Sequence, residues 1–501
     1  MVEKMSAEIT SPGLIQAVPL DWKRIFFIML GLGLFAAVYF APPFSDAVDP
    51  DGKRFVLTPE GKAALALFLL AGTWWVTEVV PIGITSIVIG LTQALFLIRP
   101  ARVAFSDFMD PSVWFIFGSL SIGMVFTKTG LTRRLAYKML ELVGERTSMI
   151  YLGCFVMTSA LTLVMAHTAV AATVYPLFLA IYGLYQEDGK PTKFGKGLFI
   201  GMAFICGAGS IVTLLGSARA AVALGFYNQI TGKTITFFEL TYYMLPLGAT
   251  LTFLLWAYFM LYYRPERKTI PGLRDRARKL YASLGPINKN ESLALTIVVG
   301  VICTLCARSL FPAELSFLDK TAVILVATVL FFVFKIVSLE DLEGTPWNII
   351  LLFGGAMSIG FCLWETGAAQ WIAVLWLAMF QGAAPMVFIL GVAFFVLMMT
   401  NLIMNVAAIA IVLPVALKMA EYMGVAHEVV MFACLVTAGM PFLLLVGAAP
   451  NAIAYNSKLF TAREFFTCGL LASLMLMVVL AIFVWVVWPI MGMPVLITTG
   501  G

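Results

Sequence analysis

The sequence predicts an all-α polytopic membrane protein built from two related halves of inverted topology. Three observations lead to this prediction. First, the 501 residues are 61% hydrophobic and only 12% charged, whereas soluble domains carry roughly 25% charged residues. Second, apolar runs recur at the length of about 17 to 25 residues that crosses a bilayer as a helix. Third, a segment with glycine-rich and polar breaks occurs once in each half.

The composition leaves little room for the chemistry of an enzyme or a nucleic-acid-binding protein. The formal net charge of +5 reflects membrane topology rather than contact with nucleic acid. No His-Glu-x-x-His or Gly-x-Ser-x-Gly motif occurs. The seven cysteines lie in apolar segments, so we expect packed thiols rather than a redox or metal site. We therefore predict no enzymatic activity, no nucleic-acid partner and no cofactor, with the exception of one possible Na+ ion.

The apolar runs predict about eleven membrane spans. The first run is interpreted as a span rather than a cleaved leader, because Asp46, Asp49 and Asp51 follow it in place of a small-residue cleavage site. The predicted spans cover residues 24–42, 61–80, 82–98, 111–128, 197–226, 240–262, 292–309, 320–337, 347–365, 429–456 and 465–490.

A strongly basic loop at 264–290 divides the chain into a first half, 1–263, and a second half, 291–501. Cytoplasmic loops of membrane proteins are enriched in Lys and Arg. The loop should therefore be cytoplasmic, together with the basic segments 130–146 and 185–196. Its cations are Arg264, Arg267, Lys268, Arg274, Arg276, Arg278 and Lys279.

The acidic loop 43–60 should face outward, which requires that residues 149–182 and 385–420 each enter and leave the membrane on one side. Both are predicted to be re-entrant hairpins, the first from the cytoplasm and the second from outside. Non-helical backbone at membrane depth is tolerated only against protein or a watery cavity, so the hairpin tips should face a site. This topology places the N-terminus inside and Gly501 outside, and it makes the acidic loop 338–346 cytoplasmic despite its charge.

In each half the hairpin is followed by a broken hydrophobic segment, at 197–226 around Gly216 and at 429–456. Interrupted helices at matching places in two halves are typical of secondary transporters, which hold their substrate where the broken helices meet. The matching residues of the first half are Gly118, Ser121-Ile122-Gly123, Thr129-Gly130, Ala166-His167-Thr168 and Pro176. Those of the second half are Gly355, Ser358-Ile359-Gly360, Thr366-Gly367, Met404-Asn405-Val406 and Pro414.

These motifs, with the segment from Trp74 to Pro81 that contains Thr77-Glu78, resemble the divalent anion:sodium symporter (DASS) family. The family carries dicarboxylates, citrate or sulfate. The resemblance covers nearly the whole chain, from Trp74 to Trp485. It implies one substrate and two sodium ions near the membrane midplane, held by both hairpin tips and both helix breaks. It also implies an elevator-type movement, a homodimer, and an integral protein of a bacterial plasma membrane surrounded by lipid.

The first half departs from the family pattern at its tip and at its break. Ala166-His167-Thr168 stands where the family has Ser-Asn-Thr, and Ser217-Ala218-Arg219-Ala220 stands where it has Thr-Pro-Pro-Asn. An imidazole therefore replaces the amide that helps bind the first sodium, in a group that also includes Thr162 and Gly216. We expect His167 either to replace that sodium or to take up a proton near neutral pH. Transport would then need fewer sodium ions, or none.

Arg219 is the residue of this region with the largest free-energy cost of burial in the membrane. A charged side chain deep in a membrane protein costs roughly 2.5–3.5 kcal/mol on insertion scales unless a counter-charge meets it. No Asp or Glu occurs between Glu145 and Glu187, or between Asp188 and Glu239. The counter-charge is therefore expected to be an anionic substrate or the carbonyls at a helix C-terminus, and the alternative is that the side chain snorkels to an interface. In the first case Thr168, Ser217, Asn405 and Asn451 should complete the substrate site.

The second half stays closer to a sodium site. Thr400, Asn405 and the carbonyl of Gly447 could hold one sodium ion, because backbone carbonyls freed at a helix break suit this ion. Ala448, Ala449 and Asn451 open the second half-helix, whose N-terminus suits a carboxylate. Met404 and Val406 lack the hydroxyls that would bind a second carboxylate.

The sequence therefore predicts a secondary active transporter for a small organic or inorganic dianion of the C4-dicarboxylate, 2-oxo acid, citrate or sulfate class. Sodium coupling at the first ion site should be reduced or absent. Two alternatives stay open. The protein could be an uncoupled anion channel or uniporter, or it could exchange anions other than dicarboxylates.

Overall fold

A computed structural model of the chain describes residues 21–48, 54–185, 191–380 and 383–497. The prediction of an all-α membrane protein is confirmed for these residues. Nine of their helices are long and apolar enough to cross a membrane. One antiparallel two-stranded sheet pairs β1 (Ala47–Val48) with β2 (Arg54–Phe55). Gly501, which the topology places outside, is not among the described residues.

The first half contains the following helices: α1 (Trp22–Tyr39), α2 (Pro59–Thr77), α3 (Ile82–Leu95), α4 (Ala101–Ser106), α5 (Pro111–Thr129), α6 (Leu131–Val143), α7 (Thr147–Thr162), α8 (His167–Tyr185), α9 (Lys193–Ser210), α10 (Ala218–Thr231) and α11 (Phe237–Tyr262). A 3-10 turn at Asp107–Met109 separates α4 from α5.

Helix α12 (Leu273–Ser283) links the halves, and the second half contains α13 (Lys289–Leu310), α14 (Lys320–Val333), α15 (Leu339–Glu343), α16 (Trp347–Glu365), α17 (Ala368–Phe380), α18 (Pro385–Leu402), α19 (Asn405–Tyr422), α20 (His427–Ala438), α21 (Ala449–Tyr455), α22 (Ala462–Ile482) and α23 (Trp488–Ile490). A 3-10 turn at Leu445–Gly447 precedes α21, and a π turn at Phe483–Val487 separates α22 from α23.

Side-chain caps explain where several of these helices begin. In α11 the Thr236 hydroxyl accepts the amide of Glu239, whose carboxylate accepts the amide of Thr236. Helices α13 and α22 begin with the same reciprocal capping box. Such a box satisfies two amides that have no partner within the helix. Gly130, at a φ of 86°, ends α5 and turns the chain directly into α6, because glycine adopts this left-handed conformation without strain.

The two halves interlock rather than stand side by side. Helices α3 and α5 of the first half pack on α16 and α14 of the second. At the centre, α10 packs on α19 and α21 packs on α8. Each half-helix that follows a break therefore rests on the hairpin of the other half, so neither half can bury its polar tips alone.

Two helices of more than ten residues differ from the sequence interpretation. The segment 264–290 was predicted to be a loop, but it contains α12, which buries Leu273 and Ala277 against α6. The arginines and lysines of α12 favour helix, and no Gly or Pro occurs between its first and last residues. Helix α17 lies in a stretch to which no element was assigned, because its 13 residues are too few to span a bilayer.

The acidic segment 338–346 forms α15 beside basic residues of the first half. Asp341 receives a hydrogen bond from Lys128, near the end of α5. This hydrogen bond, followed by the one from the Ser338 backbone amide, lowers the pKa of Asp341. The acidic helix thus pairs with a lysine at the end of α5, as is compatible with the prediction that both lie on one side of the membrane.

A buried ion pair fastens α6 to the start of α13. Arg134 Nη2 lies 2.9 Å from Glu291 Oε2, and Arg134 Nη1 donates to the carbonyl of Gly285 at 2.8 Å. The two side chains are only 9% and 6% exposed. We expect Arg134→Ala to destabilise the protein by about 3–5 kcal/mol, because it leaves the Glu291 carboxylate buried without its partner.

Thermal unfolding in detergent, followed by a thiol-reactive dye that reports the buried cysteines, measures this effect. Lys138→Ala is the matched control on the same helix, since the pair of Lys138 with Glu141 is exposed and surface pairs contribute little. Equal melting temperatures for the two variants would contradict the assignment of Arg134 as an anchor.

Candidate functional site

The two helix breaks meet at the centre of the protein. In the first break, α9 ends at Ser210 and the next helix, α10, begins at Ala218. In the second break, α20 ends at Ala438 and α21 begins at Ala449, with only a short 3-10 turn between them. The ends of α9 and α20 approach so closely that a Cβ on Gly207 would lie 2.6 Å from the carbonyl oxygen of Gly439. Glycine at this crossing lets the C-terminal ends of two half-helices touch.

The first hairpin turns between Thr162 and His167, and the first break wraps around this tip. Thr213 Oγ1 donates to the carbonyl of Leu163 at 2.6 Å. Gly216 packs against the carbonyl of Thr162 so closely that a side chain at 216 would collide with it. The structure therefore brings together Thr162 and Gly216 of the predicted first ion site, and the third residue, His167, begins α8 on the other side of the hairpin turn.

Arg219 lies in the core, and it does not snorkel to an interface. It is 2% exposed. Its Nη2 donates to Ser210 Oγ at 2.9 Å and lies against Gly439, where a side chain would collide with it. Its Nε has no hydrogen-bond partner, and no carboxylate of a described residue forms an ion pair with it.

The surroundings of Arg219 offset its charge only in part. The guanidinium lies at the C-terminal ends of α9 and α20, and helix C-termini carry about half a negative charge. The sequence left two counter-charges open, an anionic substrate and helix carbonyls, and the structure places the guanidinium at two helix C-termini. The Nε–H of Arg219 remains without a partner, and a bound anion can accept a hydrogen bond from such a group.

The second hairpin tip gathers oxygen atoms. Thr400 Oγ1 lies 2.8 Å from Asn405 Oδ1 and 2.9 Å from the carbonyl oxygen of Ala438. Gly447 is adjacent, since a Cβ there would lie 3.1 Å from the Thr400 carbonyl. A hydroxyl has one proton and can donate to only one of its two neighbours. Such a buried group of oxygens is chemically suited to a hard cation such as sodium.

The remaining predicted substrate residues have different surroundings. Ser217 caps α10, where its hydroxyl accepts the amide of Ala220 at 3.3 Å. Asn451 Nδ2 donates to the carbonyls of Pro441 and Leu444 at 2.8 and 3.0 Å, which leaves its oxygen for other partners. Thr168 is partly buried in the first turn of α8. Ala448 and Ala449 mark the start of α21 and contribute backbone amides only.

Asn401 is a residue of this site that the sequence interpretation missed. Its Oδ1 accepts the amides of Leu443 and Leu444 at 2.8 and 3.3 Å, and it is 2% exposed. It thus holds the second break against the second hairpin. The signal was available, because a buried Asn next to Thr400 in an apolar helix must satisfy its amide somewhere.

Residues 50–494 match the family model of the sodium:sulfate symporter transmembrane region. The sodium-dependent dicarboxylate transporter SdcS of Staphylococcus saprophyticus is 25% identical over 463 residues, which cover 88% of each chain. SdcS of Staphylococcus aureus is 26% identical over 452 residues, 86% of each chain. These alignments include both hairpins and both breaks.

Two solved structures share the fold. MtrF of Neisseria gonorrhoeae, described as one of a class of antimetabolite efflux pumps, has a TM-score of 0.57 at 12% identity over 93% of this chain and 94% of that one. The YdaH transporter of Alcanivorax borkumensis has a TM-score of 0.52 at 12% identity over 93% and 98%. At this identity the likeness concerns the fold alone.

Proposed function

The chain belongs to the family of the sodium:sulfate symporter transmembrane region, and from this premise we propose that it is a secondary active transporter of a small dianion. The substrate class comprises C4-dicarboxylates, 2-oxo acids, citrate and sulfate. No covalent bond of the substrate is made or broken. The SdcS relatives, described as sodium-dependent dicarboxylate transporters, favour the dicarboxylates within this class.

The observation that carries the proposal is the uncompensated charge of Arg219 at the point where the breaks meet. The backbone of Gly439 touches this guanidinium, and the carbonyl of the preceding Ala438 touches Thr400. Arg219 therefore lies between the first break, to which it belongs, and the oxygen atoms of Thr400 and Ala438 at the second hairpin tip, where a dianion could contact both halves. A planar guanidinium can bind a carboxylate or sulfate with two parallel hydrogen bonds.

Sodium coupling is reduced in this proposal. The oxygen cluster of Thr400, Asn405 and Ala438 would hold one sodium ion. In the group of Thr162, His167 and Gly216 an imidazole stands where the resemblance places an amide, and the Arg219 guanidinium, three residues after Gly216, would repel a cation bound there. His167 and Arg219 thus replace the first sodium, in part or completely.

The moving unit would consist of the hairpins and the broken helices. Helices α7 and α8 pack on α9, while α18 and α19 pack on α20. These contacts support two re-entrant hairpins that travel with the substrate in an elevator-type movement. A homodimer would anchor the remaining helices in the plane of the membrane.

Uptake into proteoliposomes tests the function. We expect labelled succinate, citrate, sulfate or 2-oxoglutarate to be taken up, and unlabelled substrate inside the vesicles to accelerate that uptake by counterflow. A channel conducts anions without counterflow. Rapid anion flux that internal unlabelled substrate does not accelerate would therefore establish the channel alternative. Uptake of none of these anions would contradict the proposed substrate class.

The orientation of the protein has its own test. Arg274 is exposed on α12, which the positive-inside rule places in the cytoplasm. In a protein freed of its own cysteines, Arg274→Cys should be protected from an impermeant thiol reagent in intact cells. Asp46→Cys, on the exposed segment before β1, should react from outside. The opposite labelling pattern would reverse the proposed orientation.

A further inference from the structure

A basic pocket of 440 Å³ opens at the end of the protein where α11 ends and α7 begins. We propose that this pocket binds the phosphate headgroup of an anionic phospholipid of the cytoplasmic leaflet. The proposal depends on the orientation of the protein and not on the identity of the transported substrate. The pocket is lined by Arg146, Thr147, Ser148, Met260, Arg264, Pro265, Arg267, Lys268 and Thr269.

Three cations of the pocket are available to a ligand. Arg146, Arg264 and Lys268 are exposed, and none of them forms an ion pair with another described residue. Arg267 has another role, because its guanidinium stacks on the ring of Tyr185 at 5.7 Å. A cluster of uncommitted cations at a membrane surface attracts anionic headgroups, at about 1 kcal/mol per charge.

The carboxylates closest in sequence do not neutralise these cations. Glu145 Oε1 accepts the amide of Gly272 at 2.8 Å. Glu266 accepts the amides of Lys193 and Phe194, at the start of α9, and the hydroxyl of Tyr185. Burial acts to raise the pKa of Glu266, but these hydrogen bonds outweigh it and the pKa is lowered. Both carboxylates are therefore occupied by donors outside the pocket.

The pocket is built to hold its shape without a ligand. The amide of Thr147 donates to the carbonyl of Lys268 at 2.9 Å, and Thr147 Oγ1 donates to the carbonyl of Arg267 at 2.7 Å. The amide of Ile270 donates to the carbonyl of Glu145 at 2.9 Å. These bonds pin the segment that follows α11 to the residues before α7. A site that is already ordered loses less conformational entropy on binding.

The apolar border of the pocket favours a lipid over a free ion. Met260 lines the pocket, and the residues that follow Met260 and Ser148 in the chain, Leu261 and Met149, are 84% and 42% exposed, as expected of residues that face acyl chains. Trp256 donates its indole N–H to the carbonyl of Ser148 at 3.1 Å, and tryptophan is enriched at membrane interfaces. A phospholipid covers this border while its phosphate meets the cations, whereas inorganic phosphate leaves it bare.

Native mass spectrometry of the purified, delipidated full chain tests the proposal. The protein is titrated with phosphatidylglycerol and, separately, with phosphatidylcholine. We expect tight binding of phosphatidylglycerol that the triple variant R146Q/R264Q/K268Q weakens on the order of 100-fold, since each charge is worth about fivefold. The control is R274Q/R278Q/K279Q, which removes the same charge from exposed positions of α12. It should bind like the wild type.

Three results would overturn the proposal. They are equal loss of binding in the two triple variants, equal binding of both lipids, and displacement of phosphatidylglycerol by millimolar inorganic phosphate, which would identify a soluble ion as the ligand. The control variant and the melting temperature of each protein distinguish a lost site from a damaged fold.

Discussion

Arg219→Ala should nearly abolish binding of the transported dianion. The guanidinium is buried, its Nε–H has no hydrogen-bond partner, and it meets no carboxylate of the described residues. Truncating one partner of a buried charged pair costs about 2–5 kcal/mol, on the order of 30- to 5,000-fold in Kd. Calorimetric titration of the detergent-solubilised protein with succinate or citrate measures this loss. Arg219→Lys should bind with intermediate affinity, because it keeps the positive charge but loses the paired N–H donors of the planar guanidinium.

The melting temperature of the ligand-free variant distinguishes a substrate-binding arginine from a structural one. If Arg219 serves the substrate, its removal relieves an uncompensated buried charge and the ligand-free protein should melt at the same temperature or higher. If it serves to hold α9 against α20, the melting temperature should fall. Ser210→Ala is the comparison variant, because it keeps the guanidinium and removes the hydrogen bond at Nη2 together with the one from the Ser210 hydroxyl to the Gly207 carbonyl. Normal affinity of Arg219→Ala would refute the proposed role.

The second large effect concerns sodium. Uptake by the wild type should rise with sodium along a curve for a single site, or should not need sodium at all. If sodium stimulates uptake, Asn405→Ala should weaken its apparent affinity roughly 5- to 150-fold, since removing one partner of a buried polar group costs about 1–3 kcal/mol. The measurement is initial uptake at varied sodium and fixed ionic strength.

Two variants control the sodium experiment. Asn228 is exposed and its amide donates to the carbonyl of Lys233, so Asn228→Ala should leave the sodium response unchanged. His167→Asn restores the residue that the resemblance places at the first sodium site, and it should steepen the response. A wild-type response that requires two or more sodium ions would rule out replacement of the first sodium by His167 and Arg219.

The periodicity of the chain was sufficient to predict much of the fold. Spans recur because a bilayer demands apolar runs of one length, and the repeat is visible because both halves keep the same glycines and prolines. Helices α12 and α17 were missed for the corresponding reason. The first is too polar and the second too short to carry the signal of a span.

The sequence by itself determined the membrane class, the two breaks and the cost of Arg219, because these follow from composition, from local backbone chemistry and from a charge without a nearby acid. Only the tertiary structure decided what surrounds that charge. The guanidinium lies at the ends of α9 and α20, which come from different halves of the chain. Asn401, within the second half, fastens the second break to the second hairpin across two intervening helices, α19 and α20. Contacts between residues so distant in sequence depend on how the helices pack in three dimensions, and no local pattern specifies that arrangement.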